Sequence, residues 1–201
     1  MPLARKNSHT RRALLVIDVQ DSFKVGERWL RRNNPSFEDN VTRLIGAFRA
    51  NGRPVIYFLD NDDDEHFSPR SPYYRLMDFL APLPEERIID KYSRNCFTTT
   101  PLQQILLRDG VGTVTIAGIK TEQCCETTAR VASDLGFGVD FITEATLTFP
   151  IGPATPGGGE LSCDEVVERT EYVLRDRFAR ILTVQQLVDE LAGASHRAAS
   201  G

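Results

Sequence analysis

The sequence predicts an α/β fold, because short apolar runs alternate along the chain with stretches of helical periodicity. The run over 13–18 is apolar up to the carboxylate that ends it, so it suits a strand buried on both faces. A chain of 201 residues, 41% of them hydrophobic, is the size of one ordinary domain. We therefore predict a single-domain, doubly wound (Rossmann-like) parallel sheet of six strands, with helices on both faces.

The first half of the chain contains three predicted strands and three predicted helices. The strands cover residues 13–18, 54–60 and 87–92. In the helix over 35–52, apolar side chains recur at a spacing of three and four residues, and a glycine ends it. A short helix is predicted over 73–80. The next helix, over 98–110, has Thr100 as its cap and Gln103 in the position that closes a capping box.

The second half continues the alternation and supplies the other three strands. They cover residues 112–118, 138–145 and 179–184. Helices are predicted over 122–136, 162–178 and 185–192. Ser162 and Glu165 form a capping box at the start of the second of these helices, and the glycine- and proline-rich loop before it lacks a nucleotide-binding motif. The folded domain is expected to cover 13–192, with flexible tails over 1–12 and 193–201.

Charged and nucleophilic side chains follow three of the predicted strands. Asp18 ends the first strand, Lys91 lies at the end of the third, and Cys124 follows the fourth. In a doubly wound sheet, ligands bind beyond the carboxyl ends of the strands. These three residues are therefore expected to meet at one edge of the sheet, although Asp18 alone would suit a turn and Lys91 alone would suit the surface.

The adjacent cysteines Cys124 and Cys125 are expected to differ in role. Cys125 falls on the apolar stripe of its helix and is expected to pack in the core. Cys124 falls off that stripe, and if Thr121 caps the helix, the helix dipole favours a thiolate there. Both thiols could instead be core residues. A thiol nucleophile needs a base, and because His66 is the only histidine outside the predicted tails, a carboxylate is the natural partner.

Composition argues against several classes of partner. The chain has 24 basic and 28 acidic residues, a net charge of −4, and no basic stretch interleaved with aromatic residues, so nucleic acid is not expected as a partner. No apolar run is long enough for a membrane span or a signal peptide, so no membrane partner is expected. The four cysteines lack both zinc-site spacing and the density of a disulfide scaffold, which favours a cytoplasmic protein with reduced thiols.

The candidate residues lie within a series of short motifs. In chain order these read LLVIDVQDSF, DKYSRNCF, GIKTEQCCETTAR and SDLGF. In order and spacing they resemble the isochorismatase-like cysteine hydrolases, a family that includes nicotinamidases, N-carbamoylsarcosine amidohydrolases and isochorismatases. The resemblance implies that Asp18 is the catalytic base, Lys91 its electrostatic partner and Cys124 the nucleophile. It also implies hydrolysis of a small carboxamide or related C–N bond through a thioester on Cys124.

The same resemblance implies finer features of the site. The peptide bond between Ile119 and Lys120 would be cis, and the backbone NH groups of Lys120 and Cys124 would form the oxyanion hole. Phe23 would line the substrate pocket. Trp29 is a second candidate for its wall, although a packing or interface role suits it equally well. The substrate is expected to be a small molecule, and no cofactor is implied.

Two comparisons with members of the family bear on the substrate. Nicotinamidases of the family hold a metal with an aspartate and two or three histidines in the loop after the second strand, whereas this loop contains His66 alone. Asp60, Asp62 and Asp64 could hold a hard cation, but a solvated acidic loop is the favoured interpretation, so no metal site is predicted. Isochorismatases cleave a vinyl ether without needing the cysteine, so the presence of Cys124 favours an amide substrate.

The resemblance also bears on rival functions and on assembly. Asp18 could act as a general acid in vinyl-ether hydrolysis, or the fold could serve as a catalytically silent scaffold. Members of the family are commonly dimers or tetramers, so a homodimer or homotetramer is expected. The loop over 147–161 and the apolar residues of the helix after it offer material for an interface.

Overall fold

Six parallel strands form one sheet in the described part of the chain. The structure is a computed structural model that describes residues 11–199, with side chains to residue 193. The strands are β1 (Arg11–Ile17), β2 (Val55–Asp60), β3 (Arg87–Lys91), β4 (Val111–Ile119), β5 (Gly138–Leu147) and β6 (Arg180–Ile181). They lie in the order β3-β2-β1-β4-β5-β6, and neighbouring strands are parallel. The order reverses direction between β1 and β4, which is the switch point of a doubly wound sheet.

Five α-helices cover the two faces of the sheet in residues 11–199. They are α1 (Phe37–Ala50), α2 (Leu102–Arg108), α3 (Glu126–Asp134), α4 (Cys163–Leu174) and α5 (Val184–Ala199). One apolar cluster joins α1 and α5 to Leu14 and Val16 of β1, and a second joins α2, α3 and α4 to Leu15 and Ile17. Because successive side chains of a strand point to opposite faces, β1 is buried on both sides. The predicted α/β fold is confirmed.

The segment 73–80 does not form the predicted α-helix and contains one 3₁₀ turn near its end. Its backbone is paired with the segment after β1 instead. Asp21 donates its NH to the carbonyl oxygen of Arg75, and Met77 donates its NH to that of Val19, both at 3.0 Å. Backbone groups bonded to another segment are not available for helix hydrogen bonds, so this pairing overrides the local pattern.

Two predicted helix caps have different outcomes. Ser162 and Glu165 form the predicted capping box at the start of α4. The start of α2 has no capping box, so Gln103 does not take the predicted role. The hydroxyl of Thr100 does accept the backbone NH of Leu102, at 3.1 Å, and it thereby satisfies one of the free NH groups of the first turn.

The C-terminal elements differ from the prediction in length. α4 ends at Leu174, short of the predicted end at residue 178. β6 contains only two residues of the predicted strand over 179–184, because Thr183 donates its backbone NH to the side chain of Gln186 at the start of α5. α5 continues past the expected domain end at residue 192 to Ala199, in keeping with the high helix propensity of the alanines there.

The N-terminal boundary of the folded domain also differs from the predicted start at residue 13. Of the tail predicted over 1–12, Arg11 and Arg12 belong to β1, and residues 1–10 lie outside the described residues. Arg12 is held in the strand by an ion pair in which its Nε lies 3.0 Å from a carboxylate oxygen of Asp140 in β5. Within residues 11–199, none of the helices has the length and apolar character needed to cross a lipid bilayer.

Candidate active site

Three predicted site residues meet at the carboxyl edge of the sheet. Asp18 directly follows β1, Lys91 is the last residue of β3, and Cys124 lies in the turn after β4. None of the three exposes more than 3% of its surface. β4 is the neighbour of β1, and β2 alone separates β1 from β3. The topology of the sheet therefore brings together residues that are far apart in the sequence.

The ammonium group of Lys91 lies at the centre of this site. Its Nζ lies 2.9 Å from Oδ2 of Asp18 and 3.6 Å from Sγ of Cys124. It also lies 2.7 Å from Oδ1 of Asp60, and it donates to the carbonyl oxygen of Ser93 at 3.1 Å. A buried cation without partners would be strongly destabilising, and these two carboxylates compensate its charge. The carboxylate of Asp18 and the thiol of Cys124 thus share one cationic neighbour.

Close contact between β1 and β4 depends on Gly118. This residue has a φ of +136°, a conformation that residues with a Cβ rarely adopt. A Cβ built at this position would lie 2.0 Å from the carbonyl oxygen of Ile17, the residue before Asp18. Only glycine lets the backbone of β4 come this close to the end of β1. The contact sets the turn that carries Cys124 beside Asp18.

A single turn of π-helix, Thr121–Cys125, carries both adjacent cysteines into α3. The peptide bond between Ile119 and Lys120, just before this turn, is cis. Both cysteines are buried in the apolar cluster beneath α2, α3 and α4, and the Sγ of Cys124 also faces the buried ammonium group of Lys91. The two cysteines therefore differ in environment, as the helical spacing predicts.

Side chains at the end of β5 hold this π-helical turn in place. Thr121 donates its hydroxyl to Oγ1 of Thr146 at 2.8 Å, so its side chain does not cap the helix as predicted. Thr148, just after β5, donates its hydroxyl to a carboxylate oxygen of Glu122 at 2.6 Å. Two consecutive residues of the turn are thus bonded to β5 and its extension, which restricts the position of Cys124.

Burial and neighbouring charges set the protonation of the three groups. Burial raises the pKa of Asp18 to about 7, although the charge of Lys91 opposes this shift. Burial disfavours the ammonium form of Lys91, but the negative charges of Asp18 and Asp60 outweigh this effect and raise the pKa of Lys91. Burial, with the charge of Asp18, also raises the pKa of the Cys124 thiol. These effects favour the neutral thiol of Cys124 over the thiolate.

Asp60 and Arg94 belong to the same cluster, and the sequence analysis did not assign them to it. Asp60 is the last residue of β2 and is only 5% exposed, so it is not part of a solvated acidic loop. Its Oδ2 lies 3.0 Å from Nη1 of Arg94, whose Nη2 lies 2.8 Å from Asp62. Asp60 ends an apolar strand, as Asp18 does, and that position was the signal that could have identified it.

Phe23 and Trp29 lie in an aromatic group built from loops at the carboxyl edge. The ring of Phe23 stacks on Phe149 with a centroid distance of 6.2 Å and meets the edge of Phe67 at 4.9 Å. The ring of Trp29 lies 6.4 Å from Phe149. Phe149 follows β5 and Phe67 follows β2, and neither position is marked by the sequence pattern.

The fold and the arrangement at its carboxyl edge can be compared with known proteins. The sequence profile of the isochorismatase domain matches residues 12–186 of the chain. The chain belongs to the isochorismatase family. Among solved structures, an isochorismatase-family protein from Chromobacterium violaceum ATCC 12472 superposes with a TM-score of 0.84 at 27% identity, covering 96% of this chain and 98% of that chain.

Relatives of this isochorismatase-family protein include another protein of the family and two named hydrolases. The isochorismatase family protein YrdC of Bacillus subtilis (strain 168) is 31% identical over 182 residues, covering 90% of this chain and 96% of YrdC. Nicotinamidase 3 of Arabidopsis thaliana is 46% identical over 157 residues, covering 68% and 73% of the two chains. A streptothricin hydrolase of Streptomyces noursei is 34% identical over 148 residues, covering 72% of this chain and 57% of that enzyme. The protein is a hydrolase of the isochorismatase family.

Nicotinamidases of the family hold a metal with an aspartate and histidines. The residues present in this chain do not fit such a metal site. Within the described residues, the group of metal-ligand side chains is Asp18, Asp60 and Cys124, whose ligand atoms lie within 4.8 Å of one another. The ammonium group of Lys91 already lies among these atoms, where a metal cation would compete with it. His66 stands apart from this group, and its Nε2 pairs with an exposed glutamate at 3.2 Å.

Proposed function

We propose that this isochorismatase-family hydrolase cleaves a small carboxamide or a related C–N bond through a thioester on Cys124. The observation that carries the proposal is the contact of one buried ammonium group, that of Lys91, with both the Asp18 carboxylate and the Cys124 thiol. Vinyl-ether hydrolysis needs no thiol, whereas acyl transfer needs a nucleophile beside a base. The likeness to a nicotinamidase and to a streptothricin hydrolase supports the same reaction class.

The first half of the reaction forms the thioester. Asp18 takes the proton of the neutral Cys124 thiol as the sulfur attacks the carbonyl carbon. The backbone NH groups of Lys120 and Cys124 stabilise the negative charge that develops on the carbonyl oxygen. Asp18 then gives its proton to the nitrogen, the C–N bond breaks, and ammonia or an amine leaves. The Lys91 ammonium stays charged and stabilises the anionic forms of Asp18 and Cys124.

The second half of the reaction hydrolyses the thioester. Asp18, again ionised, takes a proton from a water molecule that attacks the thioester carbonyl. The carbon–sulfur bond breaks, the acid product leaves, and the sulfur takes the proton that Asp18 accepted from the water. A pKa of about 7 suits Asp18 to both roles, because the group can accept and donate a proton near neutral pH. Phe23 and Trp29, grouped around Phe149, would form an apolar wall for the substrate.

The matched variants Cys124→Ala and Cys125→Ala test the proposed function. A panel of primary amides, ureas and lactams, with nicotinamide among the first, is screened for release of ammonia or amine. On any amide that turns over, we expect Cys124→Ala to lose at least about 1,000-fold in kcat/KM, because the nucleophile is gone. Cys125→Ala removes only a packed sulfur and should keep most of the activity. Mass spectrometry should find the acyl adduct on Cys124 after rapid acid quenching.

Two rival functions give different results in the same experiments. Release of pyruvate from isochorismate that survives Cys124→Ala would select vinyl-ether hydrolysis. A silent scaffold would turn over no member of a broad panel, and neither reactive thiol nor acyl adduct would be found. Full activity of Cys124→Ala on an amide would contradict the thioester mechanism.

A further inference from the structure

Gln20, two residues after Asp18, is fully buried and has no role in the proposed reaction. Its Oε1 accepts the backbone NH of Asp60 at 2.7 Å, and its Nε2 donates to the carbonyl oxygen of Asp60 at 3.3 Å. Nε2 also donates to Oγ of Ser22 at 3.0 Å. Two hydrogen bonds of this side chain thus go to the backbone of the residue whose carboxylate contacts Lys91.

The side-chain amide of Gln20 replaces a missing step of the ladder between β1 and β2. Ile17 pairs with Phe58, and Asp18 donates its NH to the carbonyl oxygen of Phe58 at 3.1 Å. In a regular parallel ladder, the carbonyl oxygen of Asp18 would accept the NH of Asp60 next. Asp18 instead leaves the strand with a φ of +54°, and the NH of Asp60 bonds to Gln20. The glutamine amide therefore takes the place of a backbone peptide group at the end of β1.

The backbone at Asp60 is consequently held from both sides. On one side, Asp60 pairs with Lys91 of β3, and Asn61 donates its NH to the carbonyl oxygen of Lys91 at 2.9 Å. On the other side, where β1 has ended, the amide of Gln20 holds it. Because this amide is buried, water does not compete for its hydrogen bonds. The end of β2 therefore has a fixed position beside the site.

The position of Asp60 matters because charged and titratable groups surround its carboxylate. Its Oδ1 lies 2.7 Å from Nζ of Lys91, and its Oδ2 lies 3.0 Å from Nη1 of Arg94. A carboxylate oxygen of Asp18 and the Sγ of Cys124 lie within 4.8 Å of each other and of a carboxylate oxygen of Asp60. The negative charge of Asp60 raises the pKa of both Asp18 and Cys124. Movement of Asp60 away from Lys91 would therefore change how readily both groups lose a proton.

We propose that Gln20 is a positioning residue of the active site, and that its two hydrogen bonds to the backbone of Asp60 hold that carboxylate against Lys91. The inference rests on the proposed function, because Asp60 acts on the base and the nucleophile of that reaction. A glutamine that only stabilised the fold would change the free energy of unfolding and leave the protonation of Asp18 and Cys124 as it is.

The first test measures the pH at which kcat/KM falls to half its maximum on the acid side, for any amide that turns over. Methionine has the length of glutamine but forms neither hydrogen bond. We expect Gln20→Met to lower this pH by up to about one pH unit, in the same direction as Asp60→Asn. The double variant should match Asp60→Asn, because Gln20 acts through the carboxylate that this variant lacks.

Gln186→Met is the matched control for Gln20→Met. The same exchange there also removes an amide oxygen that accepts a backbone NH, that of Thr183 at the start of α5, and it should leave the pH unchanged. Ser22→Ala is a milder variant, because it removes the hydroxyl that orients Nε2 of Gln20, and it should shift the pH in the same direction by less. Shifts that add in the double variant, or no shift in whichever of Gln20→Met and Ser22→Ala fold, would overturn the inference and leave the proposed function intact.

Alkylation by iodoacetamide, followed by peptide mass spectrometry, gives a second test that needs no substrate. Because iodoacetamide reacts with the thiolate, we expect Gln20→Met and Asp60→Asn to speed alkylation of Cys124 about 3- to 10-fold at about pH 8. The double variant should be no faster than Asp60→Asn. An equal gain at the neighbouring Cys125 would indicate local unfolding and overturn the inference, as would no gain at Cys124. A protein that hydrolyses no amide contradicts the proposed function, whereas this series still decides whether Gln20 acts through Asp60.

Discussion

The carboxylate of Asp18 is the residue on which the proposed chemistry depends most. It is fully buried, it faces the Lys91 ammonium at 2.9 Å, and a second carboxylate, that of Asp60, contacts the same ammonium. Asp60 therefore competes with Asp18 for Lys91, and its negative charge contributes to the raised pKa of Asp18. The proton affinity of the base is thus tuned by a neighbour on another strand.

The pH dependence of activity tests this arrangement. Because the ionised form of Asp18 accepts the proton, kcat/KM should fall as the pH drops through about 7, the pKa of Asp18. Deprotonation of Lys91 is not expected to lower kcat/KM at moderately alkaline pH, because the pKa of Lys91 is raised and the group stays charged. Asp60→Asn should move this fall in kcat/KM, the acid limb of the pH profile, to lower pH. The substitution removes a negative charge that raises the pKa of Asp18.

Asp62→Asn is the matched control for Asp60→Asn. Asp62 also pairs with Arg94, but it does not contact the Lys91 ammonium, so the acid limb should stay in place. An acid limb that is identical in the unsubstituted protein and in Asp60→Asn would contradict the assignment of Asp18 as the base.

Strand β4 and the π-helical turn after it form the element that presents Cys124. Gly118 lets β4 contact the end of β1, and hydroxyl groups at the end of β5 fix Thr121 and Glu122. The turn is therefore held by both strands that flank β4 in the sheet. Small displacements of this element would move the sulfur relative to Asp18, so the element has to be rigid.

Gly118→Ala tests the importance of the close contact between β4 and β1. The new methyl group would lie 2.0 Å from a backbone oxygen and would force a residue with a Cβ to adopt a φ of +136°. We expect a loss of at least about 3 kcal/mol in the free energy of unfolding, measured by urea denaturation. Gly46→Ala in α1 is the control, because a Cβ there meets nothing within 4 Å. It should stabilise the protein by about 0.5–1 kcal/mol.

At the scale of the whole molecule, the surface around α4 is the one that suggests assembly. Val166 and Leu174 of α4 are buried against the sheet and are not available to a partner. Tyr172 of the same helix is 73% exposed, and Leu161, which closes the preceding loop through a backbone bridge to Ile151, is 41% exposed. We propose that this surface joins copies of the chain in a homodimer or a dimer of dimers.

Light scattering after size-exclusion chromatography measures the mass of the assembly. We expect two or four times the chain mass of 22.5 kDa at micromolar concentration. Tyr172→Glu should shift the mass towards that of the single chain, because it buries a charge in the interface. Tyr92→Glu, a similarly exposed position beyond β3 at 67%, should not. A single-chain mass for the unsubstituted protein would rule out the assembly.

The sequence by itself determined the order of the elements and the residues that end the strands. The first strand is a short apolar run, so Asp18 stood out at its end, and Lys91 and Cys124 lie at the end of or after two further predicted strands. Parallel topology then required these ends to share one edge of the sheet. The helical spacing also predicted that Cys125 lies in the core, where Cys124 is buried as well and differs by its contact with Lys91. These predictions succeed because the spacing of apolar residues along an element reflects which of its faces is buried.

The tertiary structure alone decided the features that depend on pairing between distant segments. The segment 73–80 lost its predicted helix because its backbone bonds to residues near Val19, and no local pattern encodes that partner. Asp60 belongs to the site because its carboxylate forms ion pairs with both Lys91 and Arg94. The raised pKa of the Cys124 thiol follows from burial and from the charge of Asp18, which no local pattern encodes. Burial and neighbouring charges act on a pKa only once folding has brought the groups together in space.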